Sequence, residues 1–400
     1  MQLGIQLGAS AAGGQSSHES IDLAMWAARF ADEAGFDHIW TTEHHFTENI
    51  HTGAPGAILA YVAGVTERAK LGYAVSIVPL HHPLLLAEEF AWVDNLSKGR
   101  LIAGISPGWA AYEFKLLGVP HEERRERLAE SFEIITRALT NEPFSYQGRY
   151  FQIPEMRLFP PPRQKRIPFA MSCNQNESVR RAARWRVSPL LGFPPAPELF
   201  QQRQVFIDTC REEGVPEDEI AELVSYVGVR KFITIAKTDE EAEAIALAGT
   251  QQLQGTLKRL LTTAGAHDAL ESTVRTPSGA MVTLDHEDVR ESPIFGNHLY
   301  GSVDTVIEKL LDLERVGGMA HCICVFGGGE NGVAGSKQAI ELFAKEVIPA
   351  VKQHSTSRGP RGASGEEAAS LRTPPLASGA SSRACSKSTR RSSSPSCRKE

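Results

Sequence analysis

Three titratable side chains stand together in Glu43-His44-His45, at the end of the apolar run Ile39-Trp40-Thr41-Thr42. A buried strand that finishes in such groups delivers them to one place. Histidine is the side chain whose ordinary pKa lies closest to neutrality, so it suits proton transfer or hydrogen bonding to a reacting atom. Neighbouring residues of an extended chain point to opposite sides, so one histidine is expected to face the centre while the other supports it. Two blander explanations fit the same residues: a histidine pair packed at the surface, and a metal site. The strand lacks the two histidines at i, i+2 that a metallohydrolase barrel uses, and the chain has no H-E-x-x-H, so no metal is expected.

Three more stretches carry side chains or backbone suited to a ligand. Tyr73-Ala74-Val75-Ser76 offers small residues that leave room for a flat molecule, or that simply pack in a core. Gly104-Ile105-Ser106-Pro107-Gly108-Trp109, followed by Tyr112-Glu113-Phe114, brackets a turn with two glycines, which lets backbone N–H groups approach an anion. Ser172-Cys173-Asn174-Gln175-Asn176-Glu177-Ser178 combines amides and hydroxyls at the start of a helix. That combination suits a phosphate, or a plain N-cap by Asn176 or Ser178.

The elements that must position these stretches alternate. Strands are predicted at Gln2–Leu7, His38–Thr42, Leu71–Val78, Leu101–Ile105, Ile167–Met171, Val187–Leu191, Val224–Ile235 and Cys322–Phe326, each followed by a helix-like segment. Ser16 and Glu19 form the pattern of a capping box for the first helix. Asn176 or Ser178 opens a later helix, and a hairpin is expected at Phe144–Phe151. Eight such units imply a parallel sheet closed into a (β/α)8 TIM barrel with insertions, the largest at 250–295. All four stretches then follow strand ends on the same rim. The doubly wound alternative needs G-x-G-x-x-G after an early strand, and Gly8-Ala9-Ser10-Ala11-Ala12-Gly13-Gly14 lacks that spacing.

Charge and composition narrow the partners. The chain's net charge is −6, and its last 47 residues carry nine Lys/Arg against three Asp/Glu, so the preceding 353 hold −12. An acidic body argues against nucleic acid. Residues 354–400 are Ser/Arg-rich with few large apolar side chains. They are expected to be a disordered tail outside the 1–353 domain. Of the six cysteines none forms C-x-x-C, so reduced core thiols are expected. With no secretory pattern at the N-terminus and no apolar run of about 18 residues, neither export nor a membrane span is expected, and a cytoplasmic protein is.

Taken together, these residues resemble the bacterial luciferase-like flavin monooxygenases, and among them the luciferase α subunit. The similarity is carried by Glu43-His44-His45-Phe46-Thr47-Glu48, Ala87-Glu88, Leu96-Ser97-Lys98-Gly99-Arg100, Gly104-Ile105, Gly108, Phe114 and Gly118. It runs from about residue 2 to 352, is most specific over 38–118 and is weakest over 250–295.

The resemblance implies a (β/α)8 barrel that takes reduced FMN (FMNH2) and O2 and oxidises a small organic substrate through a flavin C4a-(hydro)peroxide. It implies that His44 acts near the flavin C4a, with His45 beside it. It also implies a cis peptide at Ala74-Val75 beneath the ring, contacts from Ser76, Ser106 and Gly108, and a phosphate loop at Asn174, Gln175 and Ser178. A separate flavin reductase, a homodimer and a lid within 250–295 are further expectations. The chain departs from the α subunit at Pro107, where that subunit has a phosphate-gripping Arg, and at Ser106, where it has a reactive Cys. Arg180 and Arg181 are positioned to compensate. The alternatives within the resemblance are an F420-dependent oxidoreductase and a non-catalytic flavin-binding subunit; outside it stands a metal-dependent barrel hydrolase.

Overall fold

The alternation of strand and helix closes the chain on itself. The computed structural model describes residues 1–8, 16–47, 50–192, 196–263, 289–292, 294–327 and 332–356. Eight parallel strands make the ring: β1 (Gln2–Gln6), β2 (His38–Thr41), β3 (Lys70–Tyr73), β4 (Leu101–Ser106), β5 (Phe169–Cys173), β6 (Ser188–Leu191), β7 (Gly228–Ile235) and β8 (His321–Phe326). Each pairs with the next, and β8 returns to β1 with Leu3 opposite Cys322 and Ile5 opposite Cys324. All eight correspond to strands predicted from sequence, and the barrel is closed.

Local signals account for the helices that cover the ring. Helix α1 (Ser17–Ala34) starts at a capping box in which Glu19 N–H donates to Ser16 Oγ at 3.2 Å and Ser16 N–H donates to Glu19 at 2.9 Å. A cap of this kind contributes about 1 kcal/mol. The helix stops at Gly35, whose φ of +95° closes the last turn. Helices α2 (Pro55–Val65) and α3 (Pro83–Leu96) each place a proline at the first helical position, where no donor is lost. Helices α4 (Ala111–Leu116) and α5 (Arg124–Leu139) follow β4, and α6 (Asn176–Arg184) follows β5. Beyond β6 come α7 (Ala196–Glu212) and α8 (Glu217–Val224); α9 (Asp239–Thr263) follows β7.

The ring buries two apolar surfaces. Outward residues such as Leu3, Ile5, Ile39 and Leu71 pack under the helices in the main core. Inward residues form a separate cluster, Trp40, Ile102, Ala170, Leu190 and Ile323, with Ala74, Val75 and Tyr226 against it. Trp40 fills the lumen only because its neighbours are glycines. A Cβ on Gly72 would lie 2.1 Å from the indole, and one on Gly4 would lie 2.8 Å from its Nε1. Gly72→Ala should therefore destabilise the fold by about 1–3 kcal/mol through overpacking, seen as a lower urea midpoint. An unchanged midpoint would mean that the indole is free to move aside.

Several expectations need correction. The stretch Leu71–Val78 is not one strand: β3 ends at Tyr73, the Ala74-Val75 peptide is cis, and Ser76–Ile77 is a short strand paired with β4 before a turn at Val78–Leu80. Apolar periodicity carries no sign of such a break. The hairpin runs further than expected, with strands at Phe144–Gln147 and Gln152–Met156. Helix α9 continues to Thr263, well into the segment read as an aperiodic insertion, and a strand at His298–Gly301 adds to the far end of β7. Residues 264–288 and 293 of that insertion, and with them most of the expected lid, lie outside the described residues. A final helix runs to Thr356, so 354–356 belong to the fold; the remaining tail, 357–400, lies outside the described residues. No helix among the described residues is long and apolar enough to cross a membrane.

One shared motif turns out to be structural. In Leu96-Ser97-Lys98-Gly99-Arg100 the chain reverses through positive φ at Lys98 and Gly99. The Arg100 guanidinium then donates to the carbonyls of Ala63, Thr66, Ala69 and Ser97. This gathers the end of α2 at the base of the barrel, away from the strand ends that carry the histidines.

Candidate active site

At the carboxyl end of β2 the chain leaves the sheet and presents Glu43, His44 and His45 in succession. Their side chains go to different partners, as alternation predicts. His44 Nδ1 lies 3.2 Å from Glu113 Oε1, and the same oxygen accepts the His45 backbone N–H at 2.9 Å. Tyr112 OH donates to it as well, at 3.4 Å. Since Oε1 acts as an acceptor throughout, Nδ1 is the protonated nitrogen of His44. In the neutral ring Nε2 then carries the lone pair. Glu113 is fully buried, and its second oxygen, Oε2, has no partner among the described residues.

His45 turns the other way. Its Nε2 donates to Glu43 at 2.8 Å, beside His81 Nε2 at 2.6 Å, Ser76 Oγ at 2.9 Å and the Ile77 N–H at 2.7 Å. Burial alone would raise the Glu43 pKa. The hydrogen bonds of His45 and His81, the His81 charge and the Ile77 N–H overturn this and hold the carboxyl well below the usual carboxylate range. Burial pulls the His81 pKa down, but the Glu43 hydrogen bond and charge, joined by Glu89, more than reverse it and raise it. Glu89 itself is raised by burial and accepts Tyr73 OH at 2.9 Å. An acid and a base thus lie under the site as a satisfied pair.

The other candidate residues fall on the same rim. Ala74 and Val75 flank the cis peptide and are half-buried against the lumen cluster. The Ser76 side chain is fully buried and committed to Glu43. Ser106 Oγ accepts the Gly108 N–H at 3.0 Å, which tightens the turn after β4. Gly108 has φ of +77°, and a Cβ there would come within 2.6 Å of Ile77 and 2.8 Å of Phe114. The turn sets the Trp109 ring edge-on to His44, with centroids 5.9 Å apart.

At the end of β5, Gln175 occupies the extended N-cap position of α6, in place of the expected Asn176 or Ser178. Its N–H donates to Ser178 Oγ at 3.2 Å, and that hydroxyl donates back to the Gln175 carbonyl at 2.7 Å. Asn174 is exposed at the rim, over Gly192, where a Cβ would lie 2.5 Å from its Oδ1. Cys173 is inert: burial pushes its thiol up to about 12, and it donates to the Ser178 carbonyl.

Sequence reasoning quoted Glu113 without giving it a role and passed over His81 and Glu89. Glu113 sits on a six-residue helix whose period is too short to reveal a buried acid, and its meeting with His44 spans 69 positions. Glu113→Gln should keep the shape and lose the charged hydrogen bond. Such a bond contributes about 1.5–3 kcal/mol, or roughly ten- to hundred-fold in kcat if His44 must be held for the reaction. The pH profile of kcat should move with it. A fall in stability with kcat and its pH profile unchanged would mean that Glu113 only supports the loop.

The chain is similar in sequence to named monooxygenases. A relative 28% identical over 346 residues, spanning 84% of this chain and 87% of its own, is the 4-hydroxyprotoasukamycin monooxygenase of Streptomyces nodosus subsp. asukaensis. The alkanal monooxygenase α chain of Photobacterium leiognathi is 23% identical over 351 residues, covering 85% of this chain and 96% of its own. In fold, the chain is similar to the oxygenating constituent of 3,6-diketocamphane monooxygenase from Pseudomonas putida in complex with FMN, with a TM-score of 0.69, 22% identity and 88% and 98% coverage. It is also similar to an F420-dependent secondary alcohol dehydrogenase, with a TM-score of 0.67, 18% identity and 88% and 98% coverage. The profile of the family described as luciferase-like monooxygenase matches residues 1–320, and the chain belongs to that family.

Proposed function

We propose that this chain is a monooxygenase that uses reduced FMN and O2 to oxidise a small organic substrate at the barrel mouth. The observation that carries this is the His44–Glu113 pair, which fixes one histidine nitrogen and frees the other at the rim of a closed barrel. The residues present fit a flat ring. Ala74 and Val75 lie against an apolar lumen and bring no bulky or charged group of their own. Ser106 and Gly108 border the same mouth, while Asn174, Gln175, Ser178 and the start of α6 would hold a phosphate, supplemented by Arg180 and Arg181. Reduced FMN, when bound, supplies the electrons that activate O2.

The protein's own residues supply position and protons. His44 Nε2 takes or returns a proton at the reacting oxygen, its ring held by Glu113 on one side and bordered by Trp109 on the other. His45, anchored on Glu43 through its side chain and on Glu113 through its backbone, keeps the segment from rotating. A separate flavin reductase would furnish the reduced cofactor. Anaerobic titration with reduced FMN and reduced F420 tests the cofactor: FMN should bind at least about ten-fold tighter, a difference of about 1.4 kcal/mol. The reverse preference would make the chain an F420-dependent oxidoreductase.

A homodimer belongs to the same proposal. Leu85, Trp92 and Leu96 are 65%, 55% and 47% exposed and share one stripe of α3, with Tyr61 exposed on the adjoining α2. A row of large apolar side chains in contact with water is suited to a second copy. Trp92→Glu should shift the protein from dimer to monomer in sedimentation velocity. A wild-type protein that sediments as a monomer at tens of micromolar would remove this part of the proposal.

A further inference from the structure

In the barrel mouth lies a half-buried cation that the proposed cycle does not use. Arg230 is on β7, paired in register with Ile323 of the lumen cluster, and it shares the inward face with Phe232. Its Nε donates to Gln6 Oε1 at 2.7 Å, and Gln6 is the last residue of β1. Its guanidinium carbon stands 4.8 Å from the centroid of the Phe232 ring. The His298 ring stacks on Phe232, with centroids 4.8 Å apart at an interplanar angle of 20°. Among the described residues no carboxylate pairs with Arg230. Burial pulls its pKa down only to about 10, so it stays charged at neutral pH. His298 does not share that charge, because burial and then the Arg230 charge pull its pKa to about 4.

An unpaired guanidinium above an apolar plug is costly to keep unless something answers it. Gln6 takes one donor and Phe232 lies against the guanidinium, so the planar fork is oriented, while its two terminal nitrogens make no hydrogen bond among the described residues and are open to a ligand. The candidate phosphate loop is at the end of β5, on the outer rim, whereas Arg230 springs from the layer of Ile323, below that rim.

We propose that Arg230, oriented by Gln6, is a specificity-determining residue that binds a delocalised oxyanion, of the carboxylate type, carried by the organic substrate. This rests on the barrel mouth being the substrate site, and it narrows the substrate to acids or acidic enols over neutral hydrocarbons.

Matched probes of equal shape separate charge from size. Benzoate and benzamide are titrated by calorimetry into the full-length protein, with and without FMN, and into Arg230→Met, Arg230→Lys and Gln6→Leu. Wild type should prefer benzoate by about ten-fold or more, the effect of one charge-assisted pair. Arg230→Met should reduce that preference to less than about two-fold while its FMN affinity stays within the same margin. Arg230→Lys, which keeps the charge but not the fork, should fall between the two, and it carries the test if the methionine variant does not fold. Gln6→Leu should weaken benzoate alone. No benzoate preference in wild type, or one that survives in Arg230→Met, overturns the proposal. So does an equal loss of FMN affinity in Arg230→Met, which would assign the cation to the cofactor. Benzoate discrimination in a protein that binds no FMN would sustain this subsite and sink the cofactor reading instead.

Discussion

His44→Ala should lower kcat/KM for oxygenation by about 10²–10⁴, the usual contribution of a positioned acid or base, while reduced FMN still binds within a few-fold of wild type. The expectation follows from the hydrogen bonding of a single ring. Glu113 accepts from Nδ1, which leaves Nε2 of the neutral ring as the nitrogen proposed to exchange a proton at the barrel mouth. Removing the imidazole removes that exchange but none of the surfaces proposed to hold the cofactor. Single-turnover kinetics with prebound reduced FMN would separate the two. Loss of FMN affinity in proportion to loss of rate would make His44 a binding residue and leave the proton step without an owner.

Glu43→Gln should cost about 3–5 kcal/mol of stability, because it strips the charge from a carboxylate buried among four donors and removes the hydrogen-bonded counter-charge that does most to raise the His81 pKa. The pH dependence has a definite sign. The folded pKa of Glu43 is depressed, so its stabilisation is present above the unfolded carboxylate value and drains away as pH falls through that value towards the folded one. The folded pKa of His81 is raised, so its stabilisation is present below the unfolded histidine value and is lost as pH rises through the folded one. The gap between wild type and Glu43→Gln should therefore be widest between about pH 4.3 and 6.5 and narrow on either side. Urea midpoints across pH 3 to 9, roughly the span over which both groups titrate, would measure it. A gap that does not vary with pH would mean that neither the Glu43 nor the His81 pKa changes on folding.

Much of the architecture was legible because it depends on period. Buried parallel strands read as short apolar runs, helices as wider amphipathic segments, and eight alternations leave few arrangements other than a barrel. His44 and His45 were visible for the same reason: they follow a strand end, and strand ends share a rim. The residues that period could not reveal are those whose role is a long-range meeting. Glu113 reaches His44 from 69 positions away, and His81 meets Glu43 from 38. Arg230 joins Gln6 across 224 positions, which no local pattern announces. The break at Ala74-Val75 was invisible to periodicity and entered only through the family resemblance. Conversely, Ser97-Lys98-Gly99-Arg100 carries the family resemblance beside the histidines, yet it serves a turn at the base of the barrel. Motif strength and chemical role are separate properties.

The most direct test of the central claim is the fate of labelled dioxygen. The full-length protein would be given chemically reduced FMN, ¹⁸O₂ and a panel of aldehydes, ketones and aromatic acids, and the products read by mass spectrometry. One label should appear in an organic product made by wild type and be lost with His44→Ala. Hydrogen peroxide as the sole fate of the label, with no organic product carrying it from any member of the panel, would contradict the account.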